Sequence, residues 1–160
     1  MSATLVRVST ADQCLVLYDG AREVVEYRVS TSRYGVGEQR GSFMTPRGRH
    51  VVRAKIGAGQ PRGAVFVGRR PTGEIYSDEL ARAHPQRDWI LTRILWLSGT
   101  EGGRNRFGEV DTMRRYIYIH GAPDSAVMGV PSSIGCIRMS NDDVIELFDA
   151  VPAGAAVIIN

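Results

Sequence analysis

Tyr116 to Met139 reads YIYIHGAPDSAVMGVPSSIGCIRM, and the rest of the chain is organised around it. His120 ends an apolar run, and Cys136 follows sixteen residues later inside Ser133-Ile134-Gly135-Cys136-Ile137-Arg138-Met139. A thiolate attacks a carbonyl where a thiol does not, so a nucleophilic cysteine needs a proton acceptor or a field that lowers its pKa. His120 is the candidate acceptor. Gly135 has no Cβ, which frees its backbone to take an unusual φ and lets a carbonyl approach the main-chain N–H groups. The N–H groups of Gly135 and Cys136 are therefore the candidate oxyanion donors. Standing alone, Cys136 would read as a buried structural cysteine and His120 as a satisfied core histidine. Their spacing, with Gly121 and Gly135 beside them, turns both toward catalysis.

Working outward, Arg115 to His120 reads as a strand and Gly121 to Ser132 as the loop that returns Cys136 to it. Ser140 can cap a helix that carries Asp142 and Asp143 in its first turn and Val144, Ile145, Leu147 and Phe148 on its apolar face. Pro152 and Gly154 end it, and Ala155 to Ile159 closes as a strand. Cys136 thus precedes a helix start, which favours the thiolate modestly. Trp89 to Leu97 reads as a strand buried on both faces. Arg93 inside it needs a partner, either structural or in the site. Leu5 to Val8, Cys14 to Tyr18 and Glu23 to Ser30 form a meander, with Asp19-Gly20 as a hairpin turn, and Arg49 to Ile56 is a further strand. Asp78 to Ala83 can form one helical turn. Gly57 to Asp88 is the least regular stretch, in which Ala64 to Val67 can form a short strand, and about 57–111 reads as an irregular lid-like insertion. Its loop Ser98 to Thr112 carries Arg104 and Arg106 as a candidate lid.

The 160 residues, 43% apolar, suffice for one domain that buries roughly two thirds of its unfolded surface. The net charge is +3, and every basic residue except Lys55 is arginine. Arginine grips carboxylates and phosphates bidentately, which suits an anionic substrate, although the same composition also makes a merely soluble surface. No basic, aromatic-interleaved cluster argues for nucleic acid, and no apolar run reaches the roughly 18 residues of a membrane span. Two cysteines without a Cys-x-x-Cys pair indicate neither a metal site nor a disulfide framework, and no cofactor is implied. A serine-hydrolase elbow fails because Pro131 stands where Gly-x-Ser-x-Gly needs its first glycine. Met1 to Val8 lacks the pattern of a leader, so a cytoplasmic location is expected, or a periplasmic one if the chain is a trimmed mature form.

His120-Gly121, Ser133, Gly135-Cys136 and Ile137-Arg138 together resemble the signature of the L,D-transpeptidase (YkuD-like) catalytic domain family, in a proteobacterial-type branch without a signal peptide. Thr45-Pro46-Arg47-Gly48 resembles the family's Thr-Pro-x-Gly turn, and Val6 to Tyr18 its opening hairpin with a glutamine, here Gln13. The departure is Ile134, where the family usually has a second histidine. The resemblance implies a mostly β fold, a sandwich or curved mixed sheet, with one helix after the catalytic cysteine and a single domain over 1–160. It implies acyl transfer on murein tetrapeptides: Cys136 attacks the L-centre carbonyl of meso-diaminopimelate, His120 moves the proton, and D-Ala leaves behind a thioester. It also implies that Arg138 contacts the substrate carboxylate, with loop organisation as the competing role. Ser133 either turns the loop or meets substrate, and Gly121 and Tyr118 are further candidates for lining the site, Tyr118 with core packing as its rival role. The leaderless N-terminus favours water as acyl acceptor, an L,D-carboxypeptidase. The alternatives are an amine acceptor, as in a crosslinking or exchanging transpeptidase, a non-catalytic murein-peptide-binding module, and a redox-sensing cysteine protein.

Overall fold

Short runs of alternating or wholly apolar residues pair into one mixed sheet of ten strands. The computed structural model describes residues 3–160, so the first two residues of the segment read for a leader lie outside the described residues. β1 (Thr4–Ser9), β2 (Cys14–Asp19) and β3 (Arg22–Arg28) form the antiparallel meander. Asp19 pairs with Arg22, so the tight loop is Gly20-Ala21 rather than Asp19-Gly20, and Gly20 takes the positive φ of 61° that such a loop needs. β4 (Gly48–Ile56), β5 (Ala64–Val67), β6 (Arg70–Ile75) and a single helical turn, α1 (Asp78–Ala83), lead to β7 (Ile90–Gly99). β8 (Tyr118–Gly121), β9 (Ile137–Met139), α2 (Asn141–Ala150) and β10 (Ala156–Ile159) complete the chain.

The main path of the sheet is β3-β2-β1-β10-β4-β7-β5-β6, with β8 paired to β7 and β9 to β8. β7 pairs with β4, β5 and β8, and it is apolar on both faces because Leu95 and Leu97 enter one core while Ile90, Ile94 and Trp96 pack in another. Leu91, Ile94, Leu95 and Leu97 are fully buried. The stretch 57–111 supplies β5 and α1, both at the residues expected, and β6 besides, together with the apolar strand β7. Arg93 is structural. Its guanidinium donates to the carbonyls of Gln60 (2.8 Å) and Thr92 (2.6 Å) and lies over the Phe148 ring.

Two further expectations need correction. The strand ending at His120 begins at Tyr118, because residues 113–116 turn and Tyr116 takes φ 56°. The loop 98–112 is tied to β4 rather than free to close as a lid. Buried Asn105 donates to the carbonyls of Arg47 and Arg49 (3.0 Å each), and the Glu101 carboxylate accepts from the Arg49 N–H at 2.8 Å. Arg104 is engaged with Glu101 and Arg106 stacks on Phe107.

α2 is capped as its sequence predicts: the Ser140 hydroxyl accepts from the Asp143 N–H at 3.2 Å, and Asp142 and Asp143 lie in the first turn. It buries Val144, Leu147 and Phe148 against a core that includes Leu95, Ile119, Ile137 and Met139. Each such side chain contributes about 1.5–3 kcal/mol of burial. The helix thereby backs β8 and β9, the two strands that flank the catalytic loop.

Candidate active site

β8 and β9 run parallel, with Ile119 opposite Ile137 and His120 opposite Arg138. Side chains alternate across a strand, so Ile119, Ile137 and Met139 enter the main core while Tyr118, His120, Cys136 and Arg138 share the other face. Tyr118 lies alongside Cys136, and the Tyr118 N–H donates to Cys136 Sγ at 3.3 Å. Cys136, just before β9, and His120 on β8, sixteen residues apart in the chain, are thus brought to the same face of the sheet.

The polar groups of this face have defined roles. His120 is 1% exposed, and its Nδ1 donates to the Gly121 carbonyl at 2.7 Å. A carbonyl accepts only, so the proton of the neutral ring sits on Nδ1 and Nε2 presents a lone pair. That Nε2 is buried and has no hydrogen-bond partner among the described residues. Burial holds the imidazole below its ordinary pKa; Asp88 and the Gly121 carbonyl oppose this, and Arg138 adds to it. Burial also pushes the half-buried Cys136 thiol up to about 12, although the Tyr118 N–H, Arg115 and Arg138 favour the thiolate. Desolvation outweighs the modest lowering expected from the nearby helix start. Burial accordingly favours the neutral thiol and the neutral imidazole in the resting structure.

The catalytic loop is clamped from several sides. Ser133 is 4% exposed; its hydroxyl donates to the Cys136 carbonyl at 2.6 Å and accepts from the Gly135 N–H at 3.2 Å. Ser133 therefore shapes the loop, one of the two roles its sequence offered. The Gly135 N–H is spent on it, which leaves the Cys136 N–H, unpartnered among the described residues, as the free oxyanion donor of the expected pair. Gly135 takes φ 129°, and a Cβ there would stand 3.2 Å from Ile117 Cδ1 and 3.5 Å from the Met44 carbonyl. Thr45, fully buried, receives the Ser32 N–H at 3.0 Å and donates to the Gly135 carbonyl at 2.9 Å. The Thr-Pro-x-Gly turn is thus a second support of the nucleophile's loop. Gln13 ties the opening hairpin to Thr31, accepting from its N–H (2.9 Å) and donating to its hydroxyl (2.6 Å), one residue before the Ser32–Ser133 bridge.

Gly121 and Tyr118 are held by close packing. A Cβ on Gly121 would lie 2.6 Å from both Asn141 Oδ1 and the Leu91 carbonyl, so glycine is required where β8 presses on β7 and α2. Tyr118 is buried among Phe66, Ile94 and Trp96, and its hydroxyl accepts from Arg69 at 3.0 Å. Arg138 keeps its place beside open space: its Nη2 donates to the Ser132 hydroxyl at 2.6 Å, and it lines a cavity of about 480 Å³. Ile134, 38% exposed, stands between that cavity and a second of about 230 Å³ beside Tyr116 and Arg115. The position filled by a second histidine in the resembled signature is a rim position here, where an apolar side chain fits without a buried polar cost.

Asp88 and Asn141 join the site unannounced by the sequence. Asp88 carried no motif, being one acid at the end of an irregular segment. Asn141, the first residue of α2, accepts from Thr92 Oγ1 at 2.6 Å and donates to Asp124 at 3.1 Å, linking β7 to the loop after His120. The only signal available for it was a second cap-forming residue beside Ser140.

Residues 3–159 match the L,D-transpeptidase catalytic domain family, YkuD. The probable L,D-transpeptidase ErfK/SrfK of Salmonella typhimurium is 31% identical over 156 residues, covering 92% of this chain and 47% of that protein. The putative L,D-transpeptidase YkuD of Bacillus subtilis is 49% identical over 47 residues, 29% of each chain. The chain therefore spans about half or less of the length of these curated relatives. In three dimensions it is similar to an L,D-transpeptidase from Mycobacterium smegmatis, with a TM-score of 0.61 and 20% identity over 99% of this chain and 59% of that one. An Enterococcus faecium L,D-transpeptidase superposes with a TM-score of 0.60 at 16% identity, covering 100% and 50%. A match that runs from the opening hairpin through the closing strand, on a fold shared with solved transpeptidases, places this chain in the L,D-transpeptidase catalytic domain family.

Proposed function

We propose that the chain carries out cysteine-dependent acyl transfer on murein tetrapeptides. The observation that carries this reading is the free, buried Nε2 of His120 on the same sheet face as Cys136, its tautomer fixed by the Gly121 carbonyl. The thiol proton passes to Nε2 as Sγ attacks the L-centre carbonyl of meso-diaminopimelate, and the Cys136 N–H donates to the oxyanion that develops. The C–N bond then breaks, His120 returns the proton to the departing D-Ala amine, and a thioester remains. In the second half an acceptor loses its proton to His120, attacks the thioester, and the thiol is restored.

Two cavities meeting at Ile134 give room for a donor peptide and an amine acceptor, which supports exchange or crosslinking. Hydrolysis uses the same groups with water as acceptor. Solved relatives support the acylation chemistry: L,D-transpeptidase 3 from Mycobacterium tuberculosis is in complex with a faropenem-derived adduct.

The test is mass spectrometry of the protein and of Cys136→Ala with the tetrapeptide, with and without D-methionine. Wild type should release D-Ala and show a tripeptidyl adduct that Cys136→Ala lacks. Exchange of D-Ala for D-methionine identifies an amine acceptor, and tripeptide alone identifies hydrolysis. Absence of both adduct and turnover would leave a peptide-binding module.

A further inference from the structure

Three charged side chains from separate parts of the chain, beside the paired Arg87, line the larger of the two cavities that meet at Ile134. Arg33 comes from the segment after β3, Asp88 from the turn after α1, and Arg138 from β9. Neighbouring charges are already engaged. Arg87 pairs with Glu74 at 3.0 Å, and Arg62 pairs with Asp124 at 2.9 Å and Asp142 at 2.8 Å. Among the described residues, Arg33, Asp88 and Arg138 make no ion pair, with one another or with anything else. Arg138 also holds a buried Nε without a partner. Three cations and one anion thus line one space of about 480 Å³, and with Arg87 paired to Glu74 the charges of Arg33, Arg138 and Asp88 are left without ion pairs among the described residues.

A ligand that carries a carboxylate and an ammonium on one carbon is the complement of that arrangement. We propose that this cavity receives the amino-acid end of a zwitterionic substrate, its carboxylate between Arg33 and Arg138 and its ammonium on Asp88, which makes Asp88 a specificity-determining residue. The proposal rests on the acyl-transfer reading and gives it a substrate class: α-amino acids with both charges free. Guanidinium suits the carboxylate because it donates in pairs, and charge-assisted hydrogen bonds at both ends fix the ligand's orientation in the cavity. A second argument concerns Asp88 itself. Its charge opposes the Cys136 thiolate, so Asp88 does not serve the nucleophile in the empty site. An ammonium seated on it would relieve that opposition to the thiolate and at the same time weaken the support Asp88 gives a protonated His120.

Two sources carry this chemistry, a free D-amino acid acting as acceptor and the free amino-acid arm of meso-diaminopimelate in the peptide. Calorimetric titration of Cys136→Ala with D-methionine, with the tripeptide L-Ala-γ-D-Glu-meso-diaminopimelate, and with N-acetyl-D-methionine separates them. Binding of D-methionine identifies the acceptor, and binding of the tripeptide alone identifies the donor arm. Whichever ligand binds should lose on the order of tenfold to a hundredfold in affinity when Asp88→Asn is added, the loss of a charge-assisted contact. N-acetyl-D-methionine, which lacks the ammonium, should bind weakly and respond little to that change. Asp88 is exposed, so its substitution does not threaten the fold.

The proposal is overturned if neither zwitterion binds, if Asp88→Asn leaves affinity within about twofold, or if the acetylated ligand binds as well as the free one. Acylation of wild type by the tetrapeptide or by faropenem is read in parallel. A chain that acylates but ignores the Asp88 change refutes this pocket alone, whereas a chain that never acylates refutes the acyl-transfer reading.

Discussion

His120 shows how one side chain is tuned by its surroundings. Its donor nitrogen is committed to the Gly121 carbonyl, its acceptor nitrogen is free, and burial keeps the ring neutral below its ordinary pKa of 6.5. A base works while deprotonated, so activity is present above the folded-state pKa and lost as pH falls through it. The acid limb of Cys136 acylation should therefore lie below pH 6.5. Acylation rates by intact mass, taken from about pH 4.5 to 8, locate that limb around the histidine range, and a midpoint at or above 6.5 would contradict the neutral resting pair. His120→Ala should slow acylation by about 10²–10⁴-fold while leaving the circular dichroism spectrum unchanged. The histidine and the cysteine were legible in the sequence because their residue types and glycine neighbours are chemically unusual. Asp88 was not legible, since an isolated acid is ordinary until folding turns it toward the site.

At the scale of elements, the nucleophile's loop is held by parts of the chain that are remote from it in sequence. The Thr45 turn reaches across about ninety residues to the Gly135 carbonyl while its hydroxyl also receives the Ser32 N–H. Thr45→Val keeps the shape and removes both bonds, leaving a buried donor and acceptor unpaired at a cost of about 1–3 kcal/mol. In a domain of this size that lowers Tm by about 2–4 °C per kcal/mol. Acylation well below the new Tm should fall as well, because Gly135 and the Cys136 N–H lose a fixed position. An unchanged acylation rate, with Tm lowered as expected, would reduce the clamp to a stability role. The turn itself was visible as Thr-Pro-x-Gly, but what it clamps was not, because a hydrogen bond to a distant carbonyl leaves no pattern along the chain.

Across the whole molecule, the same desolvation that tunes the site makes folding depend on pH. His50, 1% exposed and hydrogen-bonded to the Gly48 carbonyl (3.1 Å) and the Thr112 hydroxyl (2.9 Å), has its pKa pushed by burial from 6.5 down to about 4. The unfolded chain takes up this proton at pH values where the folded one does not. Its contribution is full above pH 6.5 and is lost between 6.5 and about 4, on the order of 3 kcal/mol in all. His120 acts in the same direction. Urea midpoints should fall across that window and fall less steeply in His50→Gln; equal slopes would contradict a buried neutral His50. The sequence by itself determined the strand-rich character, the capped helix after Cys136, and the family, and it singled out Cys136 and His120 as candidates. Those depend on period, turn chemistry and residue type, which are local. Tertiary structure alone decided which strands flank the apolar strand of 89–97, that Ser133 ties the Gly135 N–H to the Cys136 carbonyl, that burial raises the Cys136 thiol despite the nearby helix, and that Asp88 faces the cavity. Each of these depends on which distant atoms share a low-dielectric space, and that is set when the strands pair.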